Sequence, residues 1–294
     1  GWILLLQSAC ILPLLYLSWL HPQSLSTADF VIFIGVALLM NTCMATQDIA
    51  TDALAVRLLP LRWRGIGNSI QVAGYKLGML AGGNGLLMLM AVIGWGYSFR
   101  VLAVLLVLLL IPIMYFREPV RTITSAKKLS GSPSFWRDWS ALFSQPAMRF
   151  WLPVLLTYKL ADALGSSMIK PLLIDNGFSL QVVGEVGMVS SLASLLAAFA
   201  GGLLCRWLGT WRALFYGGLL QAIGLGLYAV VALGVQQTSW IYGISMFEQM
   251  ADAMSTVTLF AAMMGYCRAG HEGSDYTVQM AAFTVLSGTA SLAG

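Results

Sequence analysis

Three charged residues interrupt a strongly apolar chain. Asp48 and Asp52 lie four apart in NTCMATQDIATDALAV, and Lys76 lies in IGNSIQVAGYKLGMLAGG. A short basic elbow, RLLPLRWRG at 57–65, joins the two runs. A spacing of four on a helix puts both carboxylates on one face. In a bilayer an ionised side chain costs about 2.5–3.5 kcal/mol by insertion scales, so such groups face a bundle interior or a watery path, and they pair. Asp48 is nine residues before Arg57 and Lys76 twelve after Arg64. At about 1.5 Å per residue both sit roughly 14–18 Å from the elbow, where they can meet across the helix pair. Three roles are open to the set. It can be a structural ion pair, a proton site (a carboxylate in low dielectric holds its proton more readily), or a substrate contact through Lys76. Asp52, nearer the elbow, also suits a gate paired to the elbow arginines.

The same acidic spacing recurs as Glu248 and Asp252 in FEQMADAMSTV. Arg268 lies sixteen residues beyond Asp252, so this pair is deeper, and the following helix has no lysine at the position matching Lys76. These acids are therefore expected to be less neutralised and the better proton-binding candidates. Lys159 and Asp162, three apart in YKLAD, can satisfy each other, or Lys159 can attract an anionic ligand. Gln47, Gln71, Tyr75, Tyr158, Tyr276 and Gln279 are polar groups near these charges, suited to binding a ligand or to bonding between helices. The sequence shows no nucleophile triad and no P-loop, so enzymatic chemistry and a cofactor are not expected. Four well-separated cysteines (Cys10, Cys43, Cys205, Cys267) and two loop histidines (His21, His271) lack metal-site spacing; the cysteines read as small buried apolar residues.

The elements that must position these groups are membrane helices. Of 294 residues, 59% are hydrophobic and 10% charged, against about 25% charged in soluble domains. The chain reads as an all-α polytopic membrane protein. Helix-length apolar runs fall at 1–20, 29–56, 66–93, 99–116, 150–170, 182–204, 211–233, 239–264 and 276–294, nine in all. Gly74, Gly78 and Gly82, at four-residue spacing in the third, permit close helix approach. Residues 117–149 break the pattern with Arg117, Arg121, Lys127, Lys128, Arg137, Arg149 and SGSPS, and read as a linker. Within it FWRDWSALFSQPAMRF suits a surface amphipathic helix, with Trp136 and Trp139 at the interface. Three domains result: a helix bundle at 1–116, a linker at 117–149 and a second bundle at 150–294.

The net charge of +4 does not point to nucleic acid, because the basic residues cluster in alternate loops. Arg57, Arg62, Arg64, the linker, Arg206, Arg212 and Arg268 share one side, and HPQSLST, GWGYSFR, KPLLIDNGFS and VQQTS the other. The positive-inside rule makes the first side cytoplasmic. The chain begins at Gly1 in an apolar run and stops at Gly294 in another, which reads as an internal fragment. The two halves also resemble each other. Each has an acidic pair, a basic turn and then a glutamine, Gln71 in the first and Gln279 in the second. Two parallel repeats around a cytoplasmic linker is the plan of a major facilitator transporter, two six-helix pseudo-repeats. On that plan the chain holds helices three to six and seven to eleven, without one, two and twelve.

ATQDIATDA followed by RGIGNSIQVAGYKLGML resembles the AmpG-like branch of the major facilitator superfamily, with its (T/S)QD-x3-DA helix, RG elbow and GY(K/R)LGM helix. The branch includes anhydromuropeptide permeases, acetyl-CoA transporters and siderophore permeases of the RhtX/FptX type. The segment SDYTVQ at 274–279 and the short linker are more similar to the siderophore group. The resemblance implies a carrier in the bacterial inner membrane importing an organic solute, a siderophore first and an anhydromuropeptide or an acetyl-CoA-type solute as the alternatives, with protons as coupling ion and membrane lipid as surroundings. It also implies that the loop RWLGTWR, with Arg206 and Arg212, is a conformational latch. A non-transporting receptor is the alternative of a different class.

Overall fold

The computed structural model describes residues 2–20, 26–116, 140, 142–234 and 237–293. Every long regular element among them is a helix. In order they are α1 (Trp2–Ala9), α2 (Ile11–Leu17), α3 (Thr27–Leu58), a 3-10 turn at Leu61–Trp63, α4 (Arg64–Met79), a π-helical turn at Leu80–Gly85, and α5 (Leu86–Tyr115). Then follow α6 (Pro146–Thr157), α7 (Leu160–Asp175), α8 (Leu180–Leu208), α9 (Thr210–Ala232), α10 (Thr238–Gly265) and α11 (Glu272–Ala293). Stretches Asp29–Leu58, Leu86–Tyr115, Gln181–Leu208 and Thr210–Ala232 are each long and apolar enough to cross a bilayer. The linker residues 117–139 and 141, with Trp136 and Trp139, and loop residues 21–25 and 235–236 lie outside the described residues.

Local chemistry explains where the helices start and turn. Ser26 and Asp29 cap α3 reciprocally: the Asp29 amide donates to Ser26 Oγ at 3.2 Å and the Ser26 amide to Asp29 Oδ2 at 3.0 Å. Ser179 caps α8 by accepting from the Val182 amide. Gly209, with φ 80°, alone separates α8 from α9, a conformation suited to glycine. The loop expected at GWGYSFR contracts to one residue. Gly94 turns the chain inside α5 with φ 80° and ψ 170°, and the helix resumes at once because the Ser98 hydroxyl takes up the Gly94 carbonyl at 2.7 Å. The span at 150–170 is broken at Tyr158–Lys159, between α6 and α7.

The chain divides into two compact units, residues 1–54 with 77–130, and 55–76 with 131–294. The sequence boundary at 116 placed 55–76 in the first bundle; the structure packs it with the second. Small residues are the reason. A Cβ on Gly65 would come within 2.9 Å of the Gly202 carbonyl, and Ser69 Oγ donates to the Ala198 carbonyl at 2.7 Å, so α4 lies directly on α8. Gly74, Gly78 and Gly82, expected to carry close packing, would meet nothing within 4 Å.

In the first unit, α2 and α5 enclose Leu14, Leu17, Phe99 and Ala103. Trp95 donates to the Leu17 carbonyl at 2.8 Å, and Gln47 bonds Gln7 at 3.3 Å. In the second unit Trp151 stacks on Tyr266 at 4.7 Å within a core that includes Leu155, Leu259, Met263 and Tyr276. Such a stack contributes about 0.5–1.5 kcal/mol beyond its buried area.

Candidate functional site

The second unit is built around a seam between α9 and α10. Ala213, Gly217, Gln221, Gly224 and Tyr228 recur at three- and four-residue spacing and are all buried. A Cβ at Gly217 would sit 3.1 Å from Ser255 Cα, and one at Gly224 3.0 Å from Glu248 Cα. Glycine therefore lets the two backbones meet, and the residues between face one another. Gln221 is the single long polar side chain in that run, and the sequence reading passed over it. Its signal is position: an amide flanked by two glycines on one helical face.

Lys159 reaches this seam from the break between α6 and α7. Its Nζ lies 2.5 Å from Asp252 Oδ1, 3.0 Å from Gln221 Oε1 and 3.2 Å from Asp162 Oδ2. Three acceptors match the three protons of an ammonium. Gln221 also donates to Asp162 Oδ1 at 2.7 Å, and Ser255 donates to Gln221 Oε1 at 2.5 Å. Lys159 is 4% exposed. A buried cation is tolerable only when its charge and hydrogen bonds are both met, as they are here.

Lys76, from α4, faces the other oxygen of the same carboxylate, with Nζ 3.5 Å from Asp252 Oδ2. Asp252 thus has two lysines, which corrects the expectation that Glu248 and Asp252 are both short of positive charge. The missing lysine is supplied by other helices, not by the one that follows. Glu248 differs. It is 1% exposed, its Oε2 accepts only from Gln249 at 3.0 Å, and its Oε1 has no partner among the described residues.

Of the expected centre of Asp48, Asp52 and Lys76, the two acids belong to the first unit and the lysine to the second. Asp48 and Asp52 lie in the first unit, Asp48 exposed and Asp52 half-buried. Among the described residues the one ion-pair partner of Lys76 is Asp252. The polar candidates also separate. Tyr75 is exposed, whereas Gln47 and Gln71 are half-buried. Tyr158 donates to the Leu214 carbonyl at 2.7 Å and so ties α6 to α9. Tyr276 and Gln279 are buried; Gln279 accepts from Trp151 Nε1 at 2.6 Å and donates to the Asp275 and Met263 carbonyls.

At the elbow, Arg64 donates to the Met264 carbonyl at 2.6 Å and, at 3.4 Å each, to those of Val56 and Leu59. It joins the C-terminal ends of α3 and α10, where helix dipoles favour a cation. Burial draws its guanidinium below the ordinary arginine value, offset by Cys267 and Glu272. Arg206 lies over the Trp63 ring at 4.5 Å, fastening the elbow to α8.

Helices long and apolar enough to cross a bilayer, with a largely buried cluster of charges within the second unit, define a polytopic membrane protein. The chain belongs to the Major Facilitator Superfamily, whose family profile matches residues 1–292, and it is similar to AmpG-type transporters, multi-pass proteins of the bacterial inner membrane. An anhydromuropeptide permease of Escherichia coli K12 is 29% identical over 285 residues, covering 95% of this chain and 56% of that protein. The chain thus spans just over half the length of that relative. A transporter named AmpG 4 of Rickettsia conorii is 25% identical, over 99% of this chain and 71% of that protein. Among solved structures, a bacterial homologue of the iron transporter ferroportin, outward-facing, superposes with a TM-score of 0.66 at 19% identity, over 100% of this chain and 74% of that one. The likeness to that structure is one of fold.

Proposed function

We propose that the protein to which this chain belongs imports an organic solute from periplasm to cytoplasm by alternating access, driven by protons. The observation that carries the proton reading is Glu248. A carboxyl sealed from water, one oxygen unpartnered, lies one helical turn before a carboxylate already held by two lysines. A group so placed gains a proton without stranding a charge and loses it when it is exposed to water on the other side. Alternating exposure of the site to the two sides of the membrane is the motion that would open it.

The solute in this reading is an anhydromuropeptide-like molecule, a sugar bearing a short peptide. The E. coli permease supports it by similarity over nearly the whole chain. A siderophore is the second reading, favoured by SDYTVQ. Asp275, Tyr276 and Gln279 of that segment are buried in helix packing, which suits a structural role for it.

The test is uptake of labelled anhydromuropeptide and labelled ferric siderophore by cells making the full-length protein, with and without an uncoupler. Muropeptide uptake abolished by the uncoupler is expected; siderophore uptake in its place moves the substrate to the second reading. Glu248→Gln is expected to keep exchange of solute across the membrane but to lose accumulation. One proton moving down about 100 mV is worth about 2.3 kcal/mol, or roughly 50-fold in concentration. Accumulation unchanged in Glu248→Gln would remove Glu248 as the coupling site.

A further inference from the structure

The two lysines at Asp252 are not equivalent. Lys159 is closed: its three protons have three acceptors at 2.5–3.2 Å, and its side chain is 5% exposed. Lys76 is open. Its contact with Asp252 Oδ2 is 3.5 Å, a Coulombic pair longer than the about 2.7–2.9 Å of a charge-assisted hydrogen bond. No other ion pair or hydrogen bond reaches it among the described residues. Its side chain is 17% exposed and that of Asp252 23%. The cluster therefore has a sealed floor, made of Lys159, Gln221, Ser255 and Glu248, and a rim that solvent reaches, made of Lys76, Asp252 and Asp162.

Removing the Lys76 contact would not strand Asp252. Its Oδ1 keeps the 2.5 Å bond to Lys159 and the 3.4 Å contact from Thr256 Oγ1. The heavy penalty for breaking a buried ion pair arises when the remaining charge is left uncompensated, and here it is not. An ammonium at the rim, loosely held and with donors to spare, can change partners at small cost.

We propose that Lys76 is the docking cation for a carboxylate of the transported solute, and that Asp252 is the intrachain carboxylate it exchanges for. This rests on the reading above that the solute is an anhydromuropeptide-like molecule, whose peptide ends in carboxylate. Lys76 is then a specificity-determining residue: it selects acids over their neutral amides. The exchange moves one ionic contact and transfers no proton, and Lys159 stays fixed throughout.

The experiment uses the full-length protein in membrane vesicles and two probes, a labelled anhydromuropeptide and the same molecule with its carboxylates amidated. Wild type is expected to take up the acid with a KM roughly 10–100-fold below that of the amide, the range of a hydrogen bond to a charged group. Lys76→Gln should raise the KM of the acid to that of the amide and leave the amide unchanged, and Lys76→Arg should keep the preference. A Lys76→Gln protein that loses kcat on both probes but keeps the preference overturns the proposal. Should that variant fail to accumulate, purified wild type decides: stabilisation against heating by the acid but not the amide supports the anchor, and equal shifts overturn it. Uptake of both probes by wild type with equal KM overturns the anchor alone. Uptake of neither overturns the muropeptide reading and the anchor with it.

Discussion

Asp48/Asp52 on α3 and Glu248/Asp252 on α10 share one spacing, yet the structure treats them differently. On α10 Asp252 meets a lysine from the break between α6 and α7 and another from α4, while Glu248, one turn earlier, is buried with only Gln249 on its carboxyl among the described residues. On α3, Asp48 stands exposed. The spacing fixes only that each pair shares a helical face. What the face meets depends on how closely neighbouring helices approach, and glycines at 217 and 224 set that for α10. An acidic pair acquires chemistry through the small residues on the next helix as much as through its own identity.

The sharpest way to break this comparison is to remove the shared cation. Lys159→Met leaves Asp162 and Asp252 facing each other around Gln221, and losing one partner of a buried pair costs about 3–5 kcal/mol. Asp48→Asn should change stability by less than about 0.5 kcal/mol, as at positions without a buried partner. Chemical unfolding in detergent, followed by tryptophan fluorescence, measures both. Similar losses would mean that the two acidic pairs are equally built into the fold.

Helix packing gives the second contrast. Gly202 and Gly78 both lie in apolar helices, and by sequence Gly78 looks the more important, standing in a four-residue glycine ladder. A Cβ on Gly202 would collide with Ser69 Oγ and come within 2.8 Å of the Gly65 carbonyl, whereas one on Gly78 meets nothing within 4 Å. Gly202→Ala is expected to destabilise by about 1–3 kcal/mol through overpacking. Gly78→Ala should be neutral or stabilising by up to about 1 kcal/mol, since alanine narrows the unfolded ensemble. Thermal melts of the two variants decide it, and a larger loss for Gly78→Ala would restore the ladder as the packing element.

The same contrast shows what could be read from residues alone. Nine apolar runs were legible because burial in lipid demands about 20 apolar residues at a time, and the acids stood out because charge there is costly. The helix breaks were not. The interruption at Tyr158–Lys159 falls inside an unbroken apolar run, and the loop expected at GWGYSFR shrinks to Gly94 inside α5, whose single φ of 80° replaces it. Partner identity was also hidden, since Lys76 and Asp252 are far apart in sequence and meet only because Gly65, Ser69 and Gly202 draw α4 onto α8.

Gln279 sharpens the comparison at its smallest scale, because it was a binding candidate by position and is a packing residue by contact. Its amide closes a ring of bonds with Trp151, Asp275 and Met263 that pins α6, α10 and α11 together. Gln279→Leu keeps the volume but orphans the Trp151 N–H, which should cost about 1–3 kcal/mol. Because its side chain is engaged in helix packing, uptake per folded molecule should keep its wild-type KM, in contrast to Lys76→Gln, where KM moves and stability scarcely does. Quantifying surface-membrane protein alongside initial uptake rates separates the two. A raised KM in Gln279→Leu at normal protein level would bring the α11 glutamine into the transport path, and with it the α10–α11 turn that holds Arg268 on Asp275.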